Sequence, residues 1–225
     1  MWNLRNLFLA AAAILLAGCV EDTTVNAAAR DKGSVVMATN DVTKAVSANE
    51  SKPGAATADE PAGKTEVATL AGGCFWGMEE ILRKIPGVIS TRVGYTGGTM
   101  KNPTYKMVCT GVTGHAEAIE IVFDPSKITY EQVLGYFFRM HDPTTLNQQH
   151  NDIGTQYRSA IFYHDDEQKK VAEAVKAKLN KSGRFKKPIV TEITKASEFY
   201  AGEDYHQKYL VKNPGGYNCH YLQPQ

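Results

Sequence analysis

The sequence predicts an α+β domain, a ferredoxin-like split β-α-β sandwich with a mixed or antiparallel sheet and an irregular C-terminal tail. Two observations lead there. From residue 67 onward, apolar runs of strand length alternate with helical periodicities in the order β-α-β-β-α-β, followed by an α-β extension. The connection from Tyr95 to Ala116 carries no helical pattern. That disfavours a doubly wound parallel sheet, whose parallel strands need long crossovers, usually helical.

The elements follow in order. Val67, Ala68, Thr69, Leu70 and Ala71 form an apolar run that reads as a buried strand. Gly72 and Gly73 permit a sharp turn out of it, with backbone angles a side chain would forbid. Met78, Ile81, Leu82 and Ile85 recur at i, i+3, i+4 and i+7, one buried helix face, and Pro86-Gly87 stops that helix. Residues 88–95 read as a second strand, ended by Gly97-Gly98; Asn102-Pro103-Thr104-Tyr105 reads as a polar loop. Gly114-His115-Ala116-Glu117 runs into a third strand through Phe123, closed by Asp124-Pro125. Thr129 and Gln132 make a capping box for a helix bearing Val133, Leu134, Phe137 and Phe138. A polar loop over 142–158 leads to a fourth strand at 159–163. Asp165 caps a helix with Val171, Val175 and Leu179 on one face, and Gly183 ends it. A fifth strand at 188–193 and a short helix around 203–211 precede the tail.

The N-terminal quarter reads differently. Arg5 precedes an apolar run, Leu7 to Leu16, that is too short to span a bilayer comfortably. Leu16-Ala17-Gly18-Cys19 then places small residues before a cysteine. This is a secretory signal over 1–18 whose end resembles the bacterial lipobox. The resemblance implies cleavage before Cys19, lipid attachment at Cys19, and an exported domain anchored on the periplasmic side of a bacterial cell envelope. Residues 19–66 are rich in Ala, Thr, Ser, Asn, Asp, Glu and Lys and show no sustained period, the composition of a disordered tether. The net charge of +1, with no basic stripe, argues against a nucleic-acid surface. A monomer is expected.

Chemistry concentrates at Gly72-Gly73-Cys74-Phe75-Trp76-Gly77. A lone cysteine is more often a small buried hydrophobe than a nucleophile. Here the glycine turn puts Cys74 at a helix start, where unpaired N–H groups and the helix dipole favour negative charge. A lowered thiol pKa is therefore expected at Cys74. Phe75 falls at the edge of the apolar stripe and Trp76 nearly opposite it, so Trp76 reads as an aromatic wall beside the sulfur. Along the third strand His115, Glu117, Ile119, Ile121 and Phe123 share one face, the core face. Glu117 is then a partly buried carboxyl with no Lys or Arg beside it in sequence, and desolvation would keep its proton on near neutral pH. His115 reads as a hydrogen-bonding residue at the strand entrance. Beyond Cys19 the chain has Cys74, Cys109 and Cys219, an odd number. In an oxidising envelope that suggests a reactive thiol rather than a closed disulfide framework. Cys219 lies in a glycine-bearing stretch, Gly215-Gly216-Tyr217-Asn218-Cys219-His220, without helix or strand period.

Gly73 to Gly77, the Asn102-Pro103-Thr104-Tyr105 loop, Thr113-Gly114-His115-Ala116-Glu117, Asp142-Pro143-Thr144 and the run from Asp152 to Ser159 together resemble the peptide methionine sulfoxide reductase A family. The resemblance covers residues 67–221. It implies reduction of the S epimer of methionine sulfoxide, free or in oxidised proteins. By match to the family motifs it implies that Cys74 attacks the sulfoxide sulfur and that Glu117 supplies a proton to the oxygen. Tyr105 and Tyr157 would hydrogen-bond that oxygen, Asp152 would organise the site, and Phe75 and Trp76 would hold the substrate methyl group. Cys219 would resolve the Cys74 sulfenic acid to a disulfide, recycled by an external thioredoxin-like dithiol, with no bound cofactor or metal. Cys109 reads as a packed bystander. The alternatives are a cysteine hydrolase or acyltransferase with His115 or His206 as base, a zinc site using Cys74, Cys109, Cys219 and a histidine, and a structural module with a permanent Cys74–Cys219 disulfide.

Overall fold

The computed structural model describes residues 63–224. The expected signal, Cys19 as the expected lipidation site, and nearly all of the expected tether lie outside the described residues. In chain order the elements are β1 (Glu66–Gly72), α1 (Phe75–Leu82), β2 (Val88–Thr96), α2 (Tyr105–Cys109), β3 (Ala116–Phe123), α3 (Tyr130–Met140), β4 (Gln148–Gln149), β5 (Asp152–Ile153), β6 (Ser159–Tyr163), α4 (Asp166–Lys181), β7 (Glu192–Lys195), β8 (Tyr200–Ala201) and α5 (Tyr209–Lys212). A 3-10 turn at Thr155–Tyr157 joins β5 to β6.

One six-stranded sheet has the order β7-β6-β1-β3-β2-β8. β3 runs antiparallel to both β1 and β2, which are therefore parallel to each other and joined through α1. This is the split β-α-β unit the sequence predicts. β6 adds antiparallel to β1, and β7 adds parallel to β6 after α4, so the sheet is mixed.

The side chains sort by period two onto two faces. Ala68, Leu70, Ile119, Ile121, Phe123 and Ile161 join the main core with Met78 and Leu82 of α1, Val133, Leu134 and Phe137 of α3, and Ala172 and Val175 of α4. Burying each large apolar side chain contributes about 1.5–3 kcal/mol, so this helical face carries most of the stability. The opposite face bears small residues, Ala71, Ala116, Ala118 and Ala160, with Phe162, and is packed by Ala196 and Phe199.

Three local expectations are corrected. The Tyr95–Ala116 connection contains a short helix, α2, because Thr104 caps it by accepting the Met107 N–H; five residues are too few to show a period. The fifth strand is shifted to Glu192–Lys195, since the Ile189 N–H is taken by Asn180 Oδ1 and the Val190 N–H by the Pro143 carbonyl instead of by the sheet. The helix expected over 203–211 is reduced to Tyr209–Lys212, because Lys208 sits at φ 53, a left-handed angle that interrupts it. The capping box at Thr129 and Gln132 and the Asp165 cap form as expected.

Candidate active site

Cys74 is the N-cap of α1, at the end of β1, and only 6% exposed. Gly73 takes φ +107, so a side chain there would be strained; its Cβ would also lie 2.7 Å from the Gln149 side chain. Gly72 has no such angle: its role is contact, since a Cβ would press on Phe137 and His141. Only one of the two glycines therefore makes the turn.

Glu117 comes from the start of β3, is 1% exposed, and accepts the Phe75 backbone N–H at 3.2 Å. Burial pushes its carboxyl up to about 8, against the opposing effect of the Phe75 N–H; the charges of Asp152 and Cys219 add to the rise. A carboxylic acid is thus kept protonated at neutral pH against the first residue of the helix that Cys74 caps. Tyr105, at the start of α2, and Tyr157, in the 3-10 turn, both have their phenol pKa raised by burial first and by Glu117 next; Cys74 and Asp152 contribute to both. Two phenols that keep their protons therefore share this centre as hydrogen-bond donors. Asp152, half-buried on β5, is pushed up to about 6 by burial and by Cys219, while the Tyr217 hydroxyl donates to both of its oxygens at 3.1 Å.

The tail is not free. Cys219 is buried at 7% exposure and hydrogen-bonds Cys74; both thiols are unoxidised. This overturns the expected depression of the Cys74 pKa. The thiol is held up, first by the hydrogen bond with Cys219, then by burial and by the Glu117 charge; only the Trp76 N–H acts the other way. The helix start does not win because the Phe75 N–H goes to Glu117 instead of the sulfur. Cys219 is the lowered thiol, stabilised as an anion by the Cys74 hydrogen bond and by His220. A proton passed from Cys74 to Cys219 along their contact would make Cys74 the thiolate.

Phe75 is fully buried, and Trp76 is 7% exposed. The Trp76 ring stacks on Tyr209 at 3.8 Å and 14°, and its Nε1–H donates to His206 Nδ1 at 3.0 Å. Trp76 is covered by the segment around His206 and Tyr209. Glu203 ties that segment down by accepting from the Tyr95 hydroxyl at 2.8 Å and from the Tyr105 N–H at 2.9 Å. Sequence reasoning did not assign a role to Glu203, Tyr209, Tyr217 or His220. Their signal was weak: isolated polar and aromatic residues in a stretch without a period. The spacing of His206 and Tyr209 at i, i+3 and the adjacency of His220 to Cys219 were the available clues.

His115 is buried and holds the preceding loop, accepting the Gly98 N–H at Nδ1 and bonding the Met100 carbonyl at 2.7 Å through Nε2. Both nitrogens are used, as expected for a strand-entrance histidine, and neither serves Cys74. Asp142 caps its own turn by accepting from the Thr144 N–H and hydroxyl. Cys109 is half-buried at the end of α2, where its carbonyl accepts from Gln156 Nε2. Among the described residues no group of three His, Cys, Asp or Glu side chains is arranged to hold a metal ion.

Comparison with known proteins agrees with this geometry. The family model described as peptide methionine sulfoxide reductase matches residues 66–225. The peptide methionine sulfoxide reductase MsrA of Nocardia farcinica is 56% identical over 160 residues, 71% of this chain and 92% of that protein. The MsrA of Methanothermobacter thermautotrophicus is 56% identical over 149 residues, 66% of this chain and 88% of that protein. Among solved structures, reduced Mxr1 from Saccharomyces cerevisiae superposes with a TM-score of 0.68 at 42% identity, covering 73% of this chain and 95% of that one. The methionine sulfoxide reductase A of Corynebacterium diphtheriae gives 0.61 at 41% identity, covering 68% and 77%. Two neighbouring reduced thiols near a protonated buried acid are the equipment of a thiol-dependent oxidoreductase. More narrowly, the chain belongs to the peptide methionine sulfoxide reductase A family, and its reaction is the reduction of methionine sulfoxide.

Proposed function

We propose that this chain reduces the S epimer of methionine sulfoxide, free and in oxidised proteins, through a Cys74 sulfenic acid and a Cys74–Cys219 disulfide. The observation that carries this reading is Glu117, a buried acid holding its proton at neutral pH against the helix start that bears Cys74. A sulfoxide oxygen leaves sulfur only if it is protonated as charge develops on it. Cys74 sulfur attacks the sulfoxide sulfur while Glu117 protonates the oxygen, and Tyr105 and Tyr157 donate to the same developing charge. The hydroxyl ends on Cys74, methionine departs, and the sulfenic acid condenses with Cys219, releasing water. An external dithiol of thioredoxin type then takes up the disulfide. The balance is one sulfoxide and one dithiol in, one thioether, one disulfide and one water out.

In this reading Phe75 and Trp76 contact the substrate methyl group once the Tyr209 segment is displaced. The domain works as a monomer on the periplasmic side of the envelope, held by lipid at Cys19; the short apolar run and small residues before Cys19 support that placement. The test follows each sulfoxide epimer separately with purified protein, with and without dithiol. The S epimer alone should be consumed, one equivalent without dithiol and catalytically with it. Consumption of the R epimer, or acyl transfer without any redox change, would overturn the assignment.

A further inference from the structure

Cys219 Sγ lies 3.0 Å from His220 Nδ1, and His220 Nε2 lies 2.8 Å from the Gly72 carbonyl oxygen. A carbonyl only accepts, so Nε2 carries a hydrogen, and whenever the ring is neutral its Nδ1 lone pair faces the sulfur. The imidazole is 1% exposed, and its backbone N–H is fixed by Asn218 Oδ1 at 3.0 Å. The turn beneath it is cut to fit: a Cβ on Gly77 would lie 2.5 Å from Asn218 Oδ1 and 2.8 Å from His220 Nδ1, and one on Gly73 would lie 3.2 Å from His220 Cε1. Glycines on both sides of Cys74 thus make room for this ring. A histidine buried only for packing would have no need to aim its free lone pair at a reacting sulfur.

We propose that His220 is a catalytic base for the resolving step, drawing the proton from Cys219 as its sulfur attacks the Cys74 sulfenic acid. The inference rests on the role of Cys219 given above. Once Cys219 has taken the Cys74 proton, its S–H bond breaks in this step and that proton moves to Nδ1. The Cys219 sulfur forms a bond to Cys74 sulfur, and the Cys74 S–O bond breaks. The departing hydroxide takes the proton from Nδ1 and leaves as water. Cys219 is oxidised and Cys74 reduced by the same electron pair. Both protonation states of the ring fit without moving a heavy atom: neutral, Nδ1 accepts from the thiol; protonated, it donates to the thiolate, while Nε2–H stays on Gly72.

Several other groups face this pair. Cys74, Asp152, Glu117 and Tyr217 act on the Cys219 sulfur, and His141 and Asp152 lie within electrostatic reach of His220. The pH profile must therefore be read as a difference between variants, not as one titration.

The test is a single-turnover experiment on the reduced protein with methionine S-sulfoxide and no dithiol. Methionine release, sulfenic acid trapped by dimedone, and thiols lost are followed together. His220→Gln should still release one equivalent of methionine but close the disulfide about 100-fold more slowly at pH 7, with trappable sulfenic acid accumulating. In this variant Cys219 lacks His220, and the Cys74 thiol that also lowered it is now a sulfenic acid, so the deficit should shrink as rising pH ionises Cys219 unaided. Gly77→Ala, which displaces the ring without removing it, should slow the same step, so the proposal does not depend on one variant folding. Disulfide closure at the wild-type rate in His220→Gln at pH 7 would overturn the proposal, as would a deficit equal at every pH. Cys219→Ser serves as the reference: if it still loses two thiols per turnover, the resolving role of Cys219 fails, a result separate from failure at His220.

Discussion

Glu117 Oε2 accepts the backbone N–H of Phe75, the first residue of the helix that Cys74 caps. One contact thereby joins the buried acid to the turn that bears Cys74. It also withdraws from Cys74 an N–H that would have stabilised a thiolate. The acid is raised and the nucleophile is not lowered. At neutral pH both Glu117 and Cys74 therefore hold their protons.

The first prediction concerns the acid. Glu117→Gln should slow methionine formation by about 10²–10⁴-fold, and Glu117→Asp by much less, measured as single-turnover rate at pH 7. Equal effects of the two changes would remove the proton-donor role. In the wild type the chemical step should fall as pH passes through about 8, where Glu117 loses its proton; Glu117→Gln should lack that limb.

The same shift predicts a stability profile. The folded carboxyl titrates near 8 and the unfolded one near 4.5. Between these values the unfolded chain releases a proton that the folded chain retains. This contribution to stability is present in full below about 4.5 and drains away as pH rises toward 8, at up to about 1.4 kcal/mol per pH unit. Glu117→Gln, which keeps an acceptor for the Phe75 N–H but cannot ionise, should raise the midpoint of thermal unfolding relative to wild type at about pH 8.5. An unchanged or lower midpoint there would contradict the buried acid.

For the thiols, Cys74→Ser should abolish turnover, whereas Cys219→Ser should give one equivalent of methionine and then stall with a dithiol of thioredoxin type. Steady turnover of Cys219→Ser with that donor would show that a different thiol closes the cycle. Counting methionine against free thiols by mass spectrometry distinguishes the two outcomes.

Tyr217→Phe removes the hydroxyl that donates to both oxygens of Asp152. The Asp152 carboxyl, already pushed up to about 6 by burial, should rise further because a donor to its charged form is lost. The tail should also dock less firmly, slowing disulfide closure several-fold with little change in the first methionine released. Carboxyl titration by NMR and thiol loss by quenched flow check the two parts.

Gly73→Ala places a Cβ at φ +107 and 2.7 Å from the Gln149 side chain. The expected cost is about 1–3 kcal/mol, read as a lower denaturant midpoint, with loss of activity as Cys74 is displaced. Gly183→Ala, also at positive φ but with nothing within 4 Å, should carry only the backbone part of that cost.

Mature protein should carry acyl chains on Cys19, detectable by mass spectrometry of the envelope fraction. A free N-terminus further along the chain would exclude the anchor.

The strands and long helices were legible because burial writes its period into sequence: Ile119, Ile121 and Phe123 alternate, and Val133, Leu134 and Phe137 follow a helix face. Glu117 could be placed on the core face by the same counting. The C-terminal segment could not be read this way. Tyr217, Cys219 and His220 are held by individual hydrogen bonds across large sequence separations, such as His220 to Gly72, and such bonds leave no periodic trace. The proton distribution between Cys74 and Cys219 was misjudged for a related reason. Local rules see the helix start at Cys74; they do not see a second sulfur arriving from the far end of the chain.

With Cys219 already seated against Cys74, a newly formed sulfenic acid would meet its partner without waiting for a segment to diffuse. Peroxide in the surroundings would have little time to carry the sulfur on to the sulfinic form, from which a dithiol cannot rescue it. The packed tail would thus also guard Cys74 against over-oxidation, a lesion that reducing methionine sulfoxide does not reverse.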